Sequence, residues 1–144
     1  MKFLIMNGPN LNLLGIRAPE VYGKRTYTDL CTFIQQKANA LSVEVDFYQS
    51  NHEGDLIDRI HSAMGVYDGI ILNAGAYTHY SYAIHDAIES VPVPVAEVHI
   101  SDIDARESFR RVSVIRPACA FTISGKGFES YTEALARFVT EFNR

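Results

Sequence analysis

Nothing in this 144-residue chain approaches the length of a membrane-spanning apolar run, and no basic segment leading into a long apolar stretch opens it. That pattern argues against a membrane protein and makes the cytoplasm the expected compartment. Cysteine is scarce: Cys31 and Cys119 have neither metal-site nor redox spacing. Both sit in apolar patterns, which predicts reduced, buried thiols. Phosphate-cradling signatures are missing too. No G-x-G-x-x-G and no Walker sequence follows the first strand-like run, and Gly125-Lys-Gly127 has the spacing of a turn. Dinucleotide binding is therefore disfavoured and no cofactor is expected. The five histidines form no HxH or HxxxH pair, so no metal is expected, although a metal site remains their rival use. Positive charge is in short supply, with 13 Lys and Arg against 17 Asp and Glu, a net charge of −4 and a pI near 5.7. This argues against non-specific nucleic-acid binding. Arg106, Arg110, Arg111 and Arg116 still gather locally, which leaves a small anion as a candidate ligand.

What is present is an ordinary globular composition, 47% hydrophobic and 21% charged, without a linker, repeat or biased tract. One domain spanning residues 1–144 is expected. Apolar strand-like runs alternate with helical patterns five times. The strand candidates are Lys2–Asn7, Glu44–Gln49 and residues 69–72, 93–99 and 120–124. Helical spacing joins Leu30, Phe33, Ile34, Ala38 and Leu41, then Ile57, Ile60 and Met64, then residues 81–90, and finally Tyr131, Leu135, Phe138, Val139 and Phe142. Residues 102–111 predict a short helix. Alternating elements imply an α/β fold: a five-stranded parallel sheet in the flavodoxin-like order 2-1-3-4-5, with helices on both faces.

The strand ends hold the chemistry. After the first strand comes Asn7-Gly-Pro-Asn-Leu-Asn-Leu-Leu-Gly15, then Arg17 and Tyr22-Gly23. The second strand ends in Ser50-Asn-His-Glu-Gly54, the third in Asn73-Ala-Gly-Ala-Tyr-Thr-His79 and the fourth in Glu97-Val-His-Ile-Ser101. Amides, imidazoles and hydroxyls thus gather on the sheet edge where open α/β folds place ligands. No lysine stands at these ends.

Arg17 and Tyr22 suit a tyrosine that works as a base. Lowering a phenol from ~10 to ~8 requires about 2.7 kcal/mol. A cation ~4 Å away, at an effective dielectric of ~20, supplies about 4 kcal/mol. The plainer alternative is a βα turn with a surface Arg and a half-buried Tyr. Glu97 and His99 point the same way from one strand. A carboxylate there can orient the ring and favour its protonated form, which suits proton donation; a satisfied structural histidine is the alternative. On the third helix, Ala83, Ile84, Ala87 and Ile88 cluster, and Asp86 falls about 130° from their centre. Asp86 is either a solvated acid or a contact to another subunit.

These segments, with Arg17-Ala-Pro19, Gln49, Thr78-His79, Asp86-Ala87, Ala105-Arg-Glu107 and Phe109-Arg110, closely resemble type II 3-dehydroquinate dehydratases in order and over essentially the whole chain. The resemblance implies a metal-free trans dehydration of 3-dehydroquinate to 3-dehydroshikimate through an enolate, in the shikimate pathway. It assigns Tyr22 as base with Arg17 beside it, Asn10 as holder of the water that stabilises the enolate, and His99, backed by Glu97, as acid. Asn73, His79 and Arg110 match contacts to substrate hydroxyls, and Ile100 and Ser101 match the carboxylate cradle. Asp86 matches an acid shared from a neighbouring subunit of a homo-oligomer, a dodecamer of four trimers. The chain departs from the family pattern at Ala18, Tyr80 and Asp102 and in the segment after Arg111. A flavodoxin-like regulatory module is the rival. It would need acids at strand ends one and three, which instead carry Asn10, Asn12 and Asn73, or a Ser/Thr-rich flavin loop, which is missing.

Overall fold

A computed structural model describes residues 1–142, apart from the side chains of Val21 and Tyr22. Strands β1 (Lys2–Asn7), β2 (Glu44–Gln49), β3 (Gly69–Asn73), β4 (Val95–His99) and β5 (Phe121–Ser124) form a parallel sheet in the order β2-β1-β3-β4-β5. Helices α1 (Pro19–Tyr22), α2 (Tyr27–Leu41), α3 (Glu53–Ser62), α4 (Tyr82–Glu89) and α5 (Glu129–Glu141) lie between and after them. This is the flavodoxin-like arrangement that the alternating pattern implies.

The unbroken apolar run of β1 splits between two cores. Phe3 and Ile5 pack with Leu30, Ile34 and Ala38 of α2 and with Tyr131, Leu135 and Phe138 of α5. Leu4 and Met6 pack with Leu56 and Ile60 of α3 and with Ile84, Ala87 and Ile88 of α4. A strand covered on both faces has no polar side to show, hence a continuous run rather than an alternation. Each such side chain, fully buried, stabilises the fold by about 1.5–3 kcal/mol. Register then aligns the polar strand ends: Asn7 lies beside both Gln49 and Asn73.

Several local expectations are corrected. Strand β4 starts at Val95, after Pro94, and β5 starts at Phe121. Met64 is 49% exposed, because α3 ends at Ser62 and the helical period no longer applies; Ala63 is buried instead. Residues 102–111 form two 3-10 turns, Ile103–Ala105 and Ser108–Arg110, rather than one helix. The Asp102 carboxylate caps the first by accepting the Asp104 N–H (3.0 Å), which favours a tight local turn. Ala83 is exposed, whereas Ile84, Ala87 and Ile88 are buried. Cys31 and Cys119 are free and only partly buried. Among the described residues no helix is long and apolar enough to cross a membrane.

Candidate active site

The loops beyond β1 and β3 meet closely. Gly8 donates its N–H to the Asn73 carbonyl (2.8 Å). A Cβ on Gly8 would lie 2.5 Å from the Ala74 carbonyl oxygen, so no larger residue fits without moving the backbone. Asn10 adopts a left-handed conformation (φ 70°, ψ −5°), which asparagine tolerates better than most residues. Its N–H donates to Asn51 Oδ1 (3.0 Å), and Gln49 Nε2 donates to the same oxygen (3.1 Å) and to the Gly8 carbonyl (3.0 Å). The end of β2 thereby braces the loop that carries Asn10.

Beneath the loops, the Tyr131 hydroxyl donates to Asn7 Oδ1 (2.6 Å) and accepts from Asn73 Nδ2 (3.0 Å), while Asn73 Oδ1 accepts from the Gly75 N–H (3.1 Å). Burial holds the Tyr131 phenol well above its ordinary range, so it remains a neutral donor. One α5 side chain thus fixes which way the Asn73 amide faces.

Above this floor opens a cleft at the carboxyl ends of the strands. Asn10, Arg17, Asn73, His79, His99, Ile100, Ser101, Arg106 and Arg110 all line it. Its lining residues include three arginines and no carboxylate, which favours an anion. Arg110 is aimed by an ion pair to Glu107 (2.8 Å). His79 Nδ1 lies 2.7 Å from the Val112 carbonyl and must donate to it, because a carbonyl can only accept. Burial, above all, depresses the His79 pKa, with His99, Arg110 and Arg106 adding to the effect. A neutral ring then leaves Nε2 as a hydrogen-bond acceptor.

At the cleft wall, His99 Nε2 donates to Glu97 Oε2 (2.7 Å). Glu97 is wholly buried and His99 is 5% exposed. Burial by itself would raise the Glu97 carboxyl. Hydrogen bonds from His99, Ser113 and Arg116 outweigh it and hold the group near 2. An ionised carboxylate on Nε2 fixes the ring's orientation and leaves Nδ1 as the nitrogen able to exchange a proton.

A family model described as dehydroquinase class II matches residues 1–139. The chain belongs to that family. A protein from Caldicellulosiruptor saccharolyticus named 3-dehydroquinate dehydratase is 60% identical over 135 residues, 93% of each chain. The crystal structure of a type II dehydroquinase from Butyrivibrio crossotus superposes with a TM-score of 0.93 at 48% identity, covering 94% of this chain and 95% of that one. A type II dehydroquinase from Propionibacterium acnes gives 0.94 at 37% identity, covering 97% of each.

Within this class II dehydroquinase chain, the cleft gathers Asn10, Arg17, Asn73, His79, His99, Ile100, Ser101 and Arg110, with Glu97 behind His99. The Tyr22 side chain lies outside the described residues. Asp86 does not line the cleft; its side chain is 77% exposed on α4 and pairs with His85 (3.1 Å). His85, Asp86 and Glu89 could together ligate a cation, but they lie on that outer surface, away from the cleft. Lys126, just beyond β5, pairs with Glu133 (2.7 Å) and does not line the cleft either.

Sequence reasoning noted Arg106 as local charge but did not place it in the cleft. It missed Ser113, Arg116 and Thr122 as partners of Glu97, and Tyr131 as the brace of Asn73. A lone acid in an otherwise apolar strand was the available signal, since a buried carboxylate must find donors.

Proposed function

We propose that the chain dehydrates 3-dehydroquinate to 3-dehydroshikimate, the shikimate-pathway step named by its relatives, through an enolate. The observation that carries this reading is the buried Glu97–His99 pair opening onto an arginine-lined cleft. Tyr22, made more acidic by Arg17, removes a proton from C2, and the electron pair forms the enolate. A water held by Asn10 stabilises its oxygen. Collapse of the enolate breaks the C1–oxygen bond as His99 delivers a proton, so the hydroxyl leaves as water. Asn73, His79 and Arg110 hold substrate hydroxyls, and the Ile100–Ser101 backbone receives the carboxylate. The neutral His79 ring supports its part, because its free nitrogen can accept from a hydroxyl.

No step in this scheme needs a metal or an amine nucleophile. Activity should survive an excess of chelator, and borohydride added with substrate should leave no covalent adduct by mass spectrometry. Inactivation by chelator, or a reduced adduct, would refute the scheme.

The cleft is completed, in this reading, by Asp86 of a neighbouring subunit within a trimer, with four trimers forming a dodecamer. Support comes from α4, where Tyr82 is 69% exposed beside the outward Asp86, an aromatic and an acid presented together. Asp86→Ala should weaken substrate binding or assembly and leave the thermal melt of the fold unchanged. Sedimentation is the check, and a fully active monomer would sink the shared site.

A further inference from the structure

Glu97 is shared between two sets of donors. Oε2 accepts from His99 Nε2 (2.7 Å) and Ser113 Oγ (2.6 Å). Oε1 accepts from Arg116 Nε (2.9 Å) and Thr122 Oγ1 (2.7 Å). Arg116 opens a 3-10 turn, Arg116–Ala118, and its backbone N–H donates to Ser113 Oγ (3.2 Å), so the turn is tied to the carboxylate network by side chain and backbone together. The Arg116 side chain is 41% exposed. A guanidinium placed there reaches a wholly buried acid while remaining partly hydrated, which keeps it charged at modest desolvation cost.

We propose that Arg116 is a positioning residue for the acid step: through Glu97 it supplies a counter-charge that limits how tightly His99 holds its proton. The inference rests on His99 being the acid, as in the proposed function. An unpaired carboxylate 2.7 Å from the ring would orient it but would also stabilise the imidazolium strongly, and a general acid works best when its proton is not held far above the working pH. With Arg116 on the other oxygen, the carboxylate–guanidinium pair carries little net charge. The hydrogen bond still fixes the ring, whereas the electrostatic hold on the proton is reduced.

Among the described residues, the ion pairs to Glu97 come from His99 and Arg116. Cys119 lies near Glu97, but burial first, and Glu97's own charge second, push its thiol up to about 12, so it is uncharged. The neighbouring β3 position is Leu72, and α4 presents Ile84 and Ile88 to this core. Across the cleft stand His79, Arg17, Arg106 and Arg110, all on the substrate side of the ring. Arg116 reaches His99 through its carboxylate partner.

The test follows His99 and the rate together. The imidazole resonances of the full-length protein, assigned by their loss in His99→Gln, are titrated by NMR in wild type, Arg116→Met and Arg116→Lys. The pH profile of kcat is recorded on the same proteins with 3-dehydroquinate. Arg116→Met should raise the His99 midpoint and the alkaline limb of kcat by roughly 0.5–1 pH unit, the scale expected for losing one partly screened cation. Arg116→Lys, which keeps the charge, should return both to near the wild-type position. An unmoved midpoint in Arg116→Met overturns the coupling even if kcat falls, because a purely structural role lowers the rate without moving the titration. A shifted midpoint with an unshifted rate profile overturns His99 as the acid, and with it the proposed mechanism.

Discussion

Tyr22→Phe and His99→Ala are each expected to lower kcat at least ~10²-fold, the lower end for positioned acid–base groups, with much smaller changes in KM. Neither group contributes mainly to ground-state binding in the proposed scheme; each moves a proton in the transition state. His99 occupies the cleft wall with Nε2 committed to Glu97, and the proposed scheme leaves Nδ1 for the leaving hydroxyl. Truncating it removes the proton donor and leaves a buried carboxylate short of one partner. Arg17→Ala should be comparably damaging, through loss of the charge that favours the Tyr22 phenolate. Steady-state kinetics decide the matter. Near-normal kcat in Tyr22→Phe would remove the tyrosine from its role as base.

Glu97→Ala is expected to destabilise the fold by about 1–3 kcal/mol, the usual cost of leaving buried donors without their acceptor. Four donors, on His99, Ser113, Arg116 and Thr122, lose their acceptor at once. Urea unfolding gives the number, and a loss below about 1 kcal/mol would mean that the network relaxes onto water. The same group predicts acid sensitivity. Glu97 titrates near 2 in the folded chain against an ordinary 4.5, so folding favours its ionised form. That contribution is complete above about pH 4.5 and is lost as pH falls toward 2. Glu97→Gln should therefore show a flatter decline of stability across that window than the wild type.

The sheet was legible because β1, β3 and β4 are covered on both faces and are apolar apart from Glu97 and the polar strand ends. The helices were legible where one face is buried, as with Leu30, Ile34 and Ala38 on α2. Reading failed where periodicity stops carrying information. Met64 continues an apolar spacing past the end of α3, and the 102–111 segment turns on local capping by Asp102 rather than on a helical face. For the cleft, topology did most of the work: parallel strands bring their carboxyl ends to one edge, and that alone joins Asn10, Asn73, His79 and His99. What stayed hidden were contacts made across long sequence separations by residues of unremarkable type. Tyr131 reads as one more apolar position on α5, and Thr122 as one more strand residue. Their roles arise only when α5 and β5 pack beside Asn73 and Glu97. Arg116 was visible as charge but not as the partner of a buried acid.

The central claim is the reaction itself, and one spectroscopic time course addresses it. Purified protein mixed with 3-dehydroquinate should produce the ultraviolet absorption of a conjugated enone, at a rate proportional to enzyme and without added metal, and His99→Ala at equal concentration should give at most about a hundredth of that rate. A flat trace from well-folded wild-type protein would contradict the account.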